Sequence, residues 1–336
     1  MTVSARGALR EKTPSESTRA LVLPGRRQSR HSGSGWRRTP SVLRGIGGWR
    51  SVVWVAPALA LLIVFVYFPL VQNIWLSFFS WSVFNPTPEF VGTANFVHAA
   101  QDPIFWRALF NNVAYAVVSI IFQVGAAFVL AALIEEFVRG RARAVLRAIY
   151  FIPSAISITV AGLLFYFIYQ PQSGILDVAL QHLGLGSWAQ SWLGQDSTAI
   201  WAIIMMSQWQ GFGYTTLLYS VAIQRIPRDL YDAADLDGVG PFSRIRHVTL
   251  PLVREMSTLL IIVTISGAFQ VFNEVMVMTA GGPNNSSQVL GTWLYRSGFI
   301  NNQFGYAAAI ATVIFVITVA LAILQMWINQ RRRVEW

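Results

Sequence analysis

Long apolar runs separated by short polar loops follow one another from about residue 50 to the end of the chain. Six of these runs are long enough to cross a membrane, because a helix needs about 20 mostly apolar residues to span the hydrocarbon core. Backbone groups in lipid must bond internally, so each run is predicted to be a helix rather than an open strand. The pattern therefore predicts an all-α polytopic membrane protein with six transmembrane helices. The predicted spans are 52–79, 109–134, 146–169, 198–223, 256–279 and 305–328.

The basic residues divide the segments outside these runs into two classes. Of the 25 Lys and Arg residues, 23 lie before the first run, in alternate loops or at the end of the chain. The other two, Arg107 and Arg296, lie in the intervening loops. Cytoplasmic loops carry an excess of Lys and Arg, so both termini are predicted to face the cytoplasm, an N-in/C-in arrangement. The basic segments are 1–50, 135–147, 225–254 and 331–333, and the others are 80–107, 170–197 and 280–304.

The composition supports a membrane protein and excludes other classes. Hydrophobic residues make up 54% of the 336 residues and charged residues only 12%, whereas a soluble domain has about 25% charged residues. The net charge of +10 alone would suggest a nucleic-acid partner, but the basic residues lie between apolar runs, so no nucleic acid is expected. The chain contains no Cys, which excludes disulfides, thiolate metal ligands and Cys nucleophiles.

The first fifty residues differ from the rest of the chain. They are rich in Arg, Ser, Gly and Pro and lack helical periodicity, so residues 1–50 are predicted to be a disordered cytoplasmic tail. A cleaved secretory signal is not expected, because the first apolar run begins only after Arg50 and is too long. The tail either contacts anionic lipid or is simply solvated. Residues 51–336 then form the transmembrane domain.

The basic loop at 226–251 has the composition of two short helices joined by a tight turn. Pro227 suits a first helical position, and the acidic Asp229 favours the positive end of the helix dipole. Gly238 permits a sharp turn, after which Pro241 begins the second helix. The sequence therefore predicts a compact helix pair on the cytoplasmic side.

Two features of this helix pair indicate a contact surface. Ala233 and Ala234 carry only a methyl group, so another surface can approach them closely. Phe242, Ile245 and Val248 have the spacing of residues that share one helix face. The alternative is an amphipathic helix pair that rests on the lipid surface.

The same loop resembles the EAA loop of ABC importer permeases. The family pattern is Glu-Ala-Ala, three residues, Gly, nine residues and Ile-x-Leu-Pro; here Asp-Ala-Ala at 232–234, Gly238 and Val-Thr-Leu-Pro at 248–251 match without gaps. The resemblance implies the type I permease fold and a coupling helix that sits in a cleft of the ATP-hydrolysing subunit. The shorter Asp leaves open whether it reaches the same cationic partner. The implied coupling residues are Asp232, Ala233, Ala234, Asp237, Gly238, Phe242, Leu250 and Pro251.

Other segments resemble the carbohydrate-uptake branch of that family, the maltose, glycerol-3-phosphate and multiple-sugar type. Thr-Ala-Gly-Gly-Pro at 279–283 matches the T-x-G-G-P signature, and Tyr150–Pro153 and Phe90–Asn95 are similar to the same branch. The resemblance implies a sugar or related hydroxylated solute. It also implies four kinds of partner: a second homologous permease, a dimer of ATPase subunits that uses ATP and Mg, an extracytoplasmic solute-binding protein and the lipid of a bacterial cytoplasmic membrane.

Polar side chains on two spans mark a candidate solute path, because polar groups inside a membrane usually face a protein interior or water. Those on span four share one helix face, and those on span five lie mostly on one side. Amides, hydroxyls and an aromatic ring suit a hydroxylated solute; alternatively, these groups only hold the bundle together. The candidates are Ser207, Gln210, Gly211 and Tyr214 on span four and Gly267, Gln270, Asn273 and Glu274 on span five.

Catalytic chemistry is not expected in this chain. Its only lysine is Lys12, so it lacks a phosphate-binding P-loop, and a separate subunit must hydrolyse ATP. The four His residues are scattered over separate loops, so neither a metal site nor a cofactor is predicted. Glu135 and Glu136 are expected to pair with Arg139 and Arg143 rather than to act as an acid–base couple.

Two other functions remain as alternatives to an importer permease. An ion-coupled secondary transporter or channel would be expected to show broken helices, repeats or charged pore rings, and it leaves the 226–251 loop unexplained. A membrane-embedded enzyme would need catalytic groups that converge at one membrane depth, and the sequence lacks them.

Overall fold

The computed structural model describes residues 49–330. The predicted tail at 1–50 lies outside the described residues, except for Trp49 and Arg50, which begin the first helix, and so does the basic segment 331–333. The described part is mostly helical. In chain order, its helices are α1 (Trp49–Leu62), α2 (Phe68–Leu76), α3 (Ala94–Gln101), α4 (Pro103–Ser119), α5 (Ala127–Phe137), α6 (Gly140–Phe151), α7 (Ile158–Ile168), α8 (Ile175–His182), α9 (Ala199–Gln224), α10 (Arg228–Leu236), α11 (Pro241–Arg244), α12 (Leu250–Leu252), α13 (Arg254–Phe269), α14 (Asn273–Met278), α15 (Leu290–Tyr295) and α16 (Phe304–Gln330).

A small hairpin departs from the all-α prediction. Strands β1 (Phe79–Ser82) and β2 (Asn85–Phe90) pair antiparallel, with Phe79 opposite Phe90. The Ser82 hydroxyl accepts hydrogen bonds of 3.2 Å from two backbone amides of the turn. Proline disfavours helix at the residue before it, and β2 contains two prolines, which keeps this segment extended.

Within residues 49–330, three continuous helices are able, by length and composition, to cross a membrane: Trp54–Leu76, Pro103–Phe137 and Phe304–Trp327. Two further pairs of helical segments qualify only if each bent pair counts as one span. Residues Gly140–Ala155 and Ile158–Ile168 bend by 92°, and residues Pro241–Leu252 and Arg254–Phe269 bend by 68°. Short π-helical stretches join α1 to α2 and α4 to α5 without a break. The first, second and sixth predicted spans are therefore confirmed as long apolar helices.

The third and fifth predicted spans are not continuous helices. After α6 the chain forms a short 3₁₀ turn, Ile152–Ala155, and leaves helical geometry at Ile156 before α7 begins. Pro153 lacks an amide hydrogen and cannot continue the α-helical bonding, which explains the break. In span five, α13 ends at Phe269, and α14 begins only at Asn273.

Helix α9 corresponds to the fourth predicted span. At 26 residues it is long enough to cross a membrane. It is not among the helices that qualify by apolar composition, because its middle carries Ser207, Gln208 and Gln210. Both Ser207 and Gln208 are buried, which places this part of α9 inside the bundle rather than in lipid.

Three apolar clusters surround α9 and the neighbouring helices. One joins α4, α7, α9 and α14, a second joins α3, α4, α13, α15 and α16, and a third joins α5, α9 and α13 with the π-helical stretch before α5. Helix α6 packs tightly against α9 at Gly213, where any Cβ atom would collide with the Tyr150 carbonyl. A glycine is therefore required there for the two helices to pack at this distance.

Candidate solute cavity and coupling loop

A cavity of about 350 Å³ lies between α4, α9, α13 and α14 and the π-helical stretch that follows α4. Its wall mixes aliphatic side chains with hydroxyl, amide and phenol groups, a lining that suits a small hydroxylated molecule. The lining residues are Tyr115, Ser119, Gln123, Ser154, Ser207, Gln210, Gly211, Tyr214, Thr215, Leu260, Val263, Thr264, Gly267, Ala268, Val271 and Glu274.

Six of the eight predicted solute residues line this one cavity. They comprise all four candidates on α9, together with Gly267 and Glu274 from the fifth predicted span. Gln270 and Asn273 are exposed and are absent from the lining, which corrects their assignment to a common face. The reason is the break in span five: Gln270 lies just after α13, and Asn273 begins α14 after the backbone has left helical geometry at Phe272.

A seryl hydroxyl fixes the wall of the cavity where α9 is richest in glycine. Ser154 Oγ donates to the Gln210 carbonyl at 2.7 Å and accepts from the Tyr214 amide at 3.0 Å. The Gln210 side chain also donates to the Ile156 carbonyl at 3.0 Å. Part of the hydrogen-bonding capacity of Gln210 is therefore used to hold the break between α6 and α7. The Tyr214 ring, by contrast, is half exposed.

The carboxylate of Glu274 is the charged group of the cavity wall. It is 7% exposed, and its Oε1 accepts a hydrogen bond of 2.8 Å from the hydroxyl of the buried Tyr115. Glu274 stands at the start of α14, immediately after the break in span five. Burying a carboxylate is costly unless it is hydrogen-bonded, and the Tyr115 hydroxyl supplies one such bond.

The loop between α9 and α13 contains the predicted pair of short helices. Pro227 precedes α10, Asp229 lies in its first turn, and Pro241 begins α11, as the sequence predicts. Gly238 has φ +71°, in the left-handed region that favours glycine, and a Cβ atom there would meet nothing within 4 Å. Its role in the turn is therefore one of backbone conformation.

The predicted coupling residues divide by exposure. Most lie on the surface of the loop, whereas Ala234 is buried against the rest of the chain and is not open to a partner. The exposed ones are Asp232, Ala233, Asp237, Gly238, Phe242, Leu250 and Pro251.

The predicted common face of Phe242, Ile245 and Val248 is wrong. Ile245 packs against the apolar cluster around α5 and α13, whereas Phe242 is 72% exposed. The helix widens to π geometry over Ile245–Thr249, so residues three apart no longer have α-helical angular spacing. Phe242 instead contacts the ring of Phe137 at the end of α5, with centroids 5.8 Å apart.

Ion pairs attach this loop to the end of the second span. Arg244 bridges the carboxylates of Glu136 on α5 and Asp235 on α10. The hydrogen bond to Glu136 raises the pKa of Arg244 above its ordinary value, so the guanidinium is charged at any physiological pH. Nearby, the Tyr231 hydroxyl lies 3.0 Å from Thr249 Oγ1, and burial raises the pKa of this phenol.

Glu135, the second carboxylate at the end of α5, pairs with one of its two predicted partners, Arg143. Glu135 binds Arg143 at 3.0 Å and also binds Arg147 on α6. The predicted partner Arg139 takes no part in these ion pairs; Arg147 and Arg244 take its place. Within residues 49–330, no three His, Asp or Glu side chains are grouped so that they could hold a metal ion.

A comparison with known families decides the class of the protein. Residues 123–334 match the family described as the binding-protein-dependent transport system inner membrane component. The chain belongs to this family. It is the membrane-embedded permease component of an ABC transporter and not itself an enzyme.

Individual relatives and structures agree with this membership. The permease is 47% identical over 274 residues to a probable ABC transporter permease, YurN, of Bacillus subtilis, covering 82% of this chain and 94% of the relative. It is 31% identical over 291 residues to the lactose transport permease LacF of Rhizobium radiobacter, covering 86% and 95%. None of the comparisons supports an ion-coupled transporter or channel.

A solved structure supports the fold. The crystal structure of a bacterial ABC transporter involved in the import of the acidic polysaccharide alginate contains a chain that superposes with TM-score 0.76 at 22% identity. The superposition covers 85% of the permease and 96% of that chain. The permease therefore has the fold of an ABC importer membrane subunit.

Three cavity residues of the second span are absent from the sequence-based prediction. Tyr115, Ser119 and Gln123 recur every four residues in the sequence and all line the cavity. Gln123 packs against Gly211 so closely that a Cβ there would lie 2.8 Å from its Nε2. The four-residue spacing was the available signal, but it does not by itself reveal which neighbours these residues contact.

The T-x-G-G-P segment of the permease forms a tight turn after α14. Gly281 has φ +86°, and a Cβ atom there would collide with the amide of Gln288. The Thr279 and Ser287 hydroxyls lie 2.8 Å apart, and Ser287 donates to the Gly282 carbonyl at 2.5 Å. The signature therefore fixes the direction in which the chain leaves the short helix that carries Glu274.

Proposed function

We propose that this permease carries a sugar or related hydroxylated solute into the bacterial cell, forming one half of a channel that works by alternating access. The observation that carries the proposal is the cavity between α4, α9, α13 and α14, whose hydroxyl, amide and phenol groups match the donors and acceptors of such a solute. The relative named as a lactose transport permease supports the same solute class.

The proposed topology has six crossings of the bacterial cytoplasmic membrane, with both termini in the cytoplasm. The bent pair of α6 and α7 supplies one crossing, α13 and α14 together supply another, and α9 supplies a third from inside the bundle, where its polar side chains avoid lipid. The distribution of 23 of the 25 Lys and Arg residues supports this orientation. It assigns α10, α11 and α12 to the cytoplasm.

The proposed energy source is a dimer of separate ATPase subunits, which would use ATP and Mg and dock against the loop at 226–251. An exposed surface formed by Asp232, Ala233, Gly238 and Phe242 supports this assignment. The ion pairs of Arg244 connect the same loop to α5, so movement of the loop would reach the membrane helices. A second homologous permease would complete the channel, and an extracytoplasmic binding protein would deliver the solute.

Within the cavity, the proposed solute contacts are the Tyr214 ring, the Ser207 hydroxyl, the backbone at Gly211 and Gly267, and the free capacity of Gln210. The exposed half of the Tyr214 side chain supports a stacking role, because a flat ring covers the apolar face of a sugar.

The test is transport by the reconstituted complex of both permeases, the ATPase dimer and the binding protein. Tyr214→Ala is compared with Tyr67→Ala, since both tyrosines are about half exposed, but only Tyr214 lines the cavity. We expect Tyr214→Ala to lower ATP-driven uptake at least about tenfold, the effect of losing a stacking contact of roughly 1.4 kcal/mol. Tyr67→Ala should transport normally.

Equal uptake by the two variants would move the solute path away from this cavity. Transport by the purified chain without any ATP-hydrolysing subunit would contradict the importer mechanism itself. The two results are distinguishable, because the first concerns the site and the second concerns the energy source.

A further inference from the structure

Within the part of the chain that the structure describes, the cavity wall carries one acidic side chain and no basic one. Glu274 is the only acidic side chain among the described lining residues, and no Arg, Lys or His accompanies it there. Glu135 and Glu136, by contrast, both pair with arginines. The wall therefore presents an uncompensated negative charge to whatever occupies the cavity.

One oxygen of this carboxylate is free to bind a solute. Oε1 accepts the hydrogen bond from Tyr115, which fixes the orientation of the carboxylate. Oε2 has no hydrogen-bond partner within residues 49–330, and it is not among the polar atoms that the protein seals from solvent. An ionised carboxylate accepts several hydrogen bonds, so this oxygen opens on the cavity with its acceptor capacity unused.

We propose that Glu274, oriented by Tyr115, selects solutes by charge: it accepts hydroxylated solutes that are neutral or carry an ammonium group and rejects those that carry a carboxylate or phosphate. The inference rests on the proposed function, in which this cavity binds the solute. It narrows that function by excluding sugar acids and sugar phosphates.

The physical basis is the poor solvation of the site. Hydroxyl and ammonium groups donate to a carboxylate, and an ammonium forms the stronger, charge-assisted bond. A carboxylate or phosphate of the solute has no proton to donate and would place a second negative charge close to the first. Like charges a few ångströms apart in a partly buried site repel strongly, so we expect anionic solutes to bind at least about a hundredfold more weakly.

The test measures binding by the assembled transporter, both permeases with the ATPase dimer, in detergent and without the binding protein, whose own selectivity would mask the effect. Four probes share one ring and differ in charge: glucose, glucosamine, glucuronate and glucose 6-phosphate. Calorimetric titration up to millimolar probe gives their affinities for the wild type, Glu274→Gln and Tyr115→Phe. Glutamine keeps the size of the side chain and an acceptor for Tyr115 while removing the charge.

We expect glucose and glucosamine to bind the wild type at least about a hundredfold better than the two anions. In Glu274→Gln this ratio should fall below about ten, whereas in Tyr115→Phe, which retains the charge, it should stay high. A ratio that Glu274→Gln leaves unchanged, or anions that bind the wild type as well as glucose, would overturn the charge selection but not the cavity. Binding of none of the four probes would contradict the proposed solute site itself.

Discussion

Loss of the Arg244 side chain should loosen the attachment of the coupling loop. The side chains of Arg244 and Glu136 are 17% and 11% exposed, so Arg244→Met leaves a largely buried carboxylate without its partner. Breaking a fully buried ion pair costs about 3–5 kcal/mol, and an exposed pair contributes about 0–1 kcal/mol. The Arg244 pair lies between these limits, so we expect a loss of about 1–3 kcal/mol in the attachment of the loop. This loss corresponds to a change of about 5- to 150-fold in the equilibrium constant between the attached and the detached loop.

The assay combines the affinity of the purified permease pair for the ATPase subunit with the solute transported per ATP hydrolysed. Arg246→Met is the matched control, because Arg246 is exposed on the same loop and forms no ion pair within residues 49–330. We expect Arg244→Met to weaken both quantities and Arg246→Met to change neither. Adding Glu136→Gln to Arg244→Met should restore part of the loss, since it removes the largely buried charge and leaves unpaired only Asp235, which is more than half exposed. Identical behaviour of the two arginine variants would refute the anchoring role.

Two further predictions concern single residues. Gly238→Ala should lower the solute transported per ATP, because a left-handed φ costs about 1–2 kcal/mol for a residue with a Cβ atom. The control Gly240→Ala, at φ −67°, should have no effect, and equal transport per ATP in the two variants would contradict this role of Gly238. Asp102→Asn should lower the thermal unfolding midpoint in detergent, with a loss of about 1–3 kcal/mol, because Asp102 accepts from Trp293, Tyr306 and the Ile104 amide at 2.7–2.8 Å. The exposed Asp196→Asn is its control and should leave the midpoint unchanged.

The sequence was sufficient to predict the approximate position of the three long apolar helices, because apolar runs of membrane-spanning length are an unambiguous signal. It did not predict where two of the other apolar runs break. Pro153 accounts for the first break once the structure is known, but proline also occurs inside helices that continue, as Pro57 does in α1. The break after Phe269 has no proline, so the same local signal is missing there.

The candidate site was predictable where it lies on one helix. The polar face of α9 follows from helical periodicity alone, and all four of its predicted residues line the cavity. The contribution of Tyr115, Ser119 and Gln123 depends on which helices become neighbours, which periodicity does not specify. The same limit explains why the ion pair between Arg244 and Glu136 was not predicted. The two residues are 108 positions apart, and the sequence-based prediction paired Glu136 with closer arginines.

The orientation of the loop at 226–251 is the claim on which the coupling mechanism depends, and it can be measured directly. The chain has no Cys, so Ser243→Cys and Ser187→Cys each introduce one reactive thiol at an exposed serine, on opposite sides of the proposed membrane. In right-side-out vesicles treated with a membrane-impermeant maleimide, the account predicts immediate labelling of Ser187→Cys and labelling of Ser243→Cys only after permeabilisation. Labelling of Ser243→Cys in intact vesicles, with Ser187→Cys protected, would contradict it.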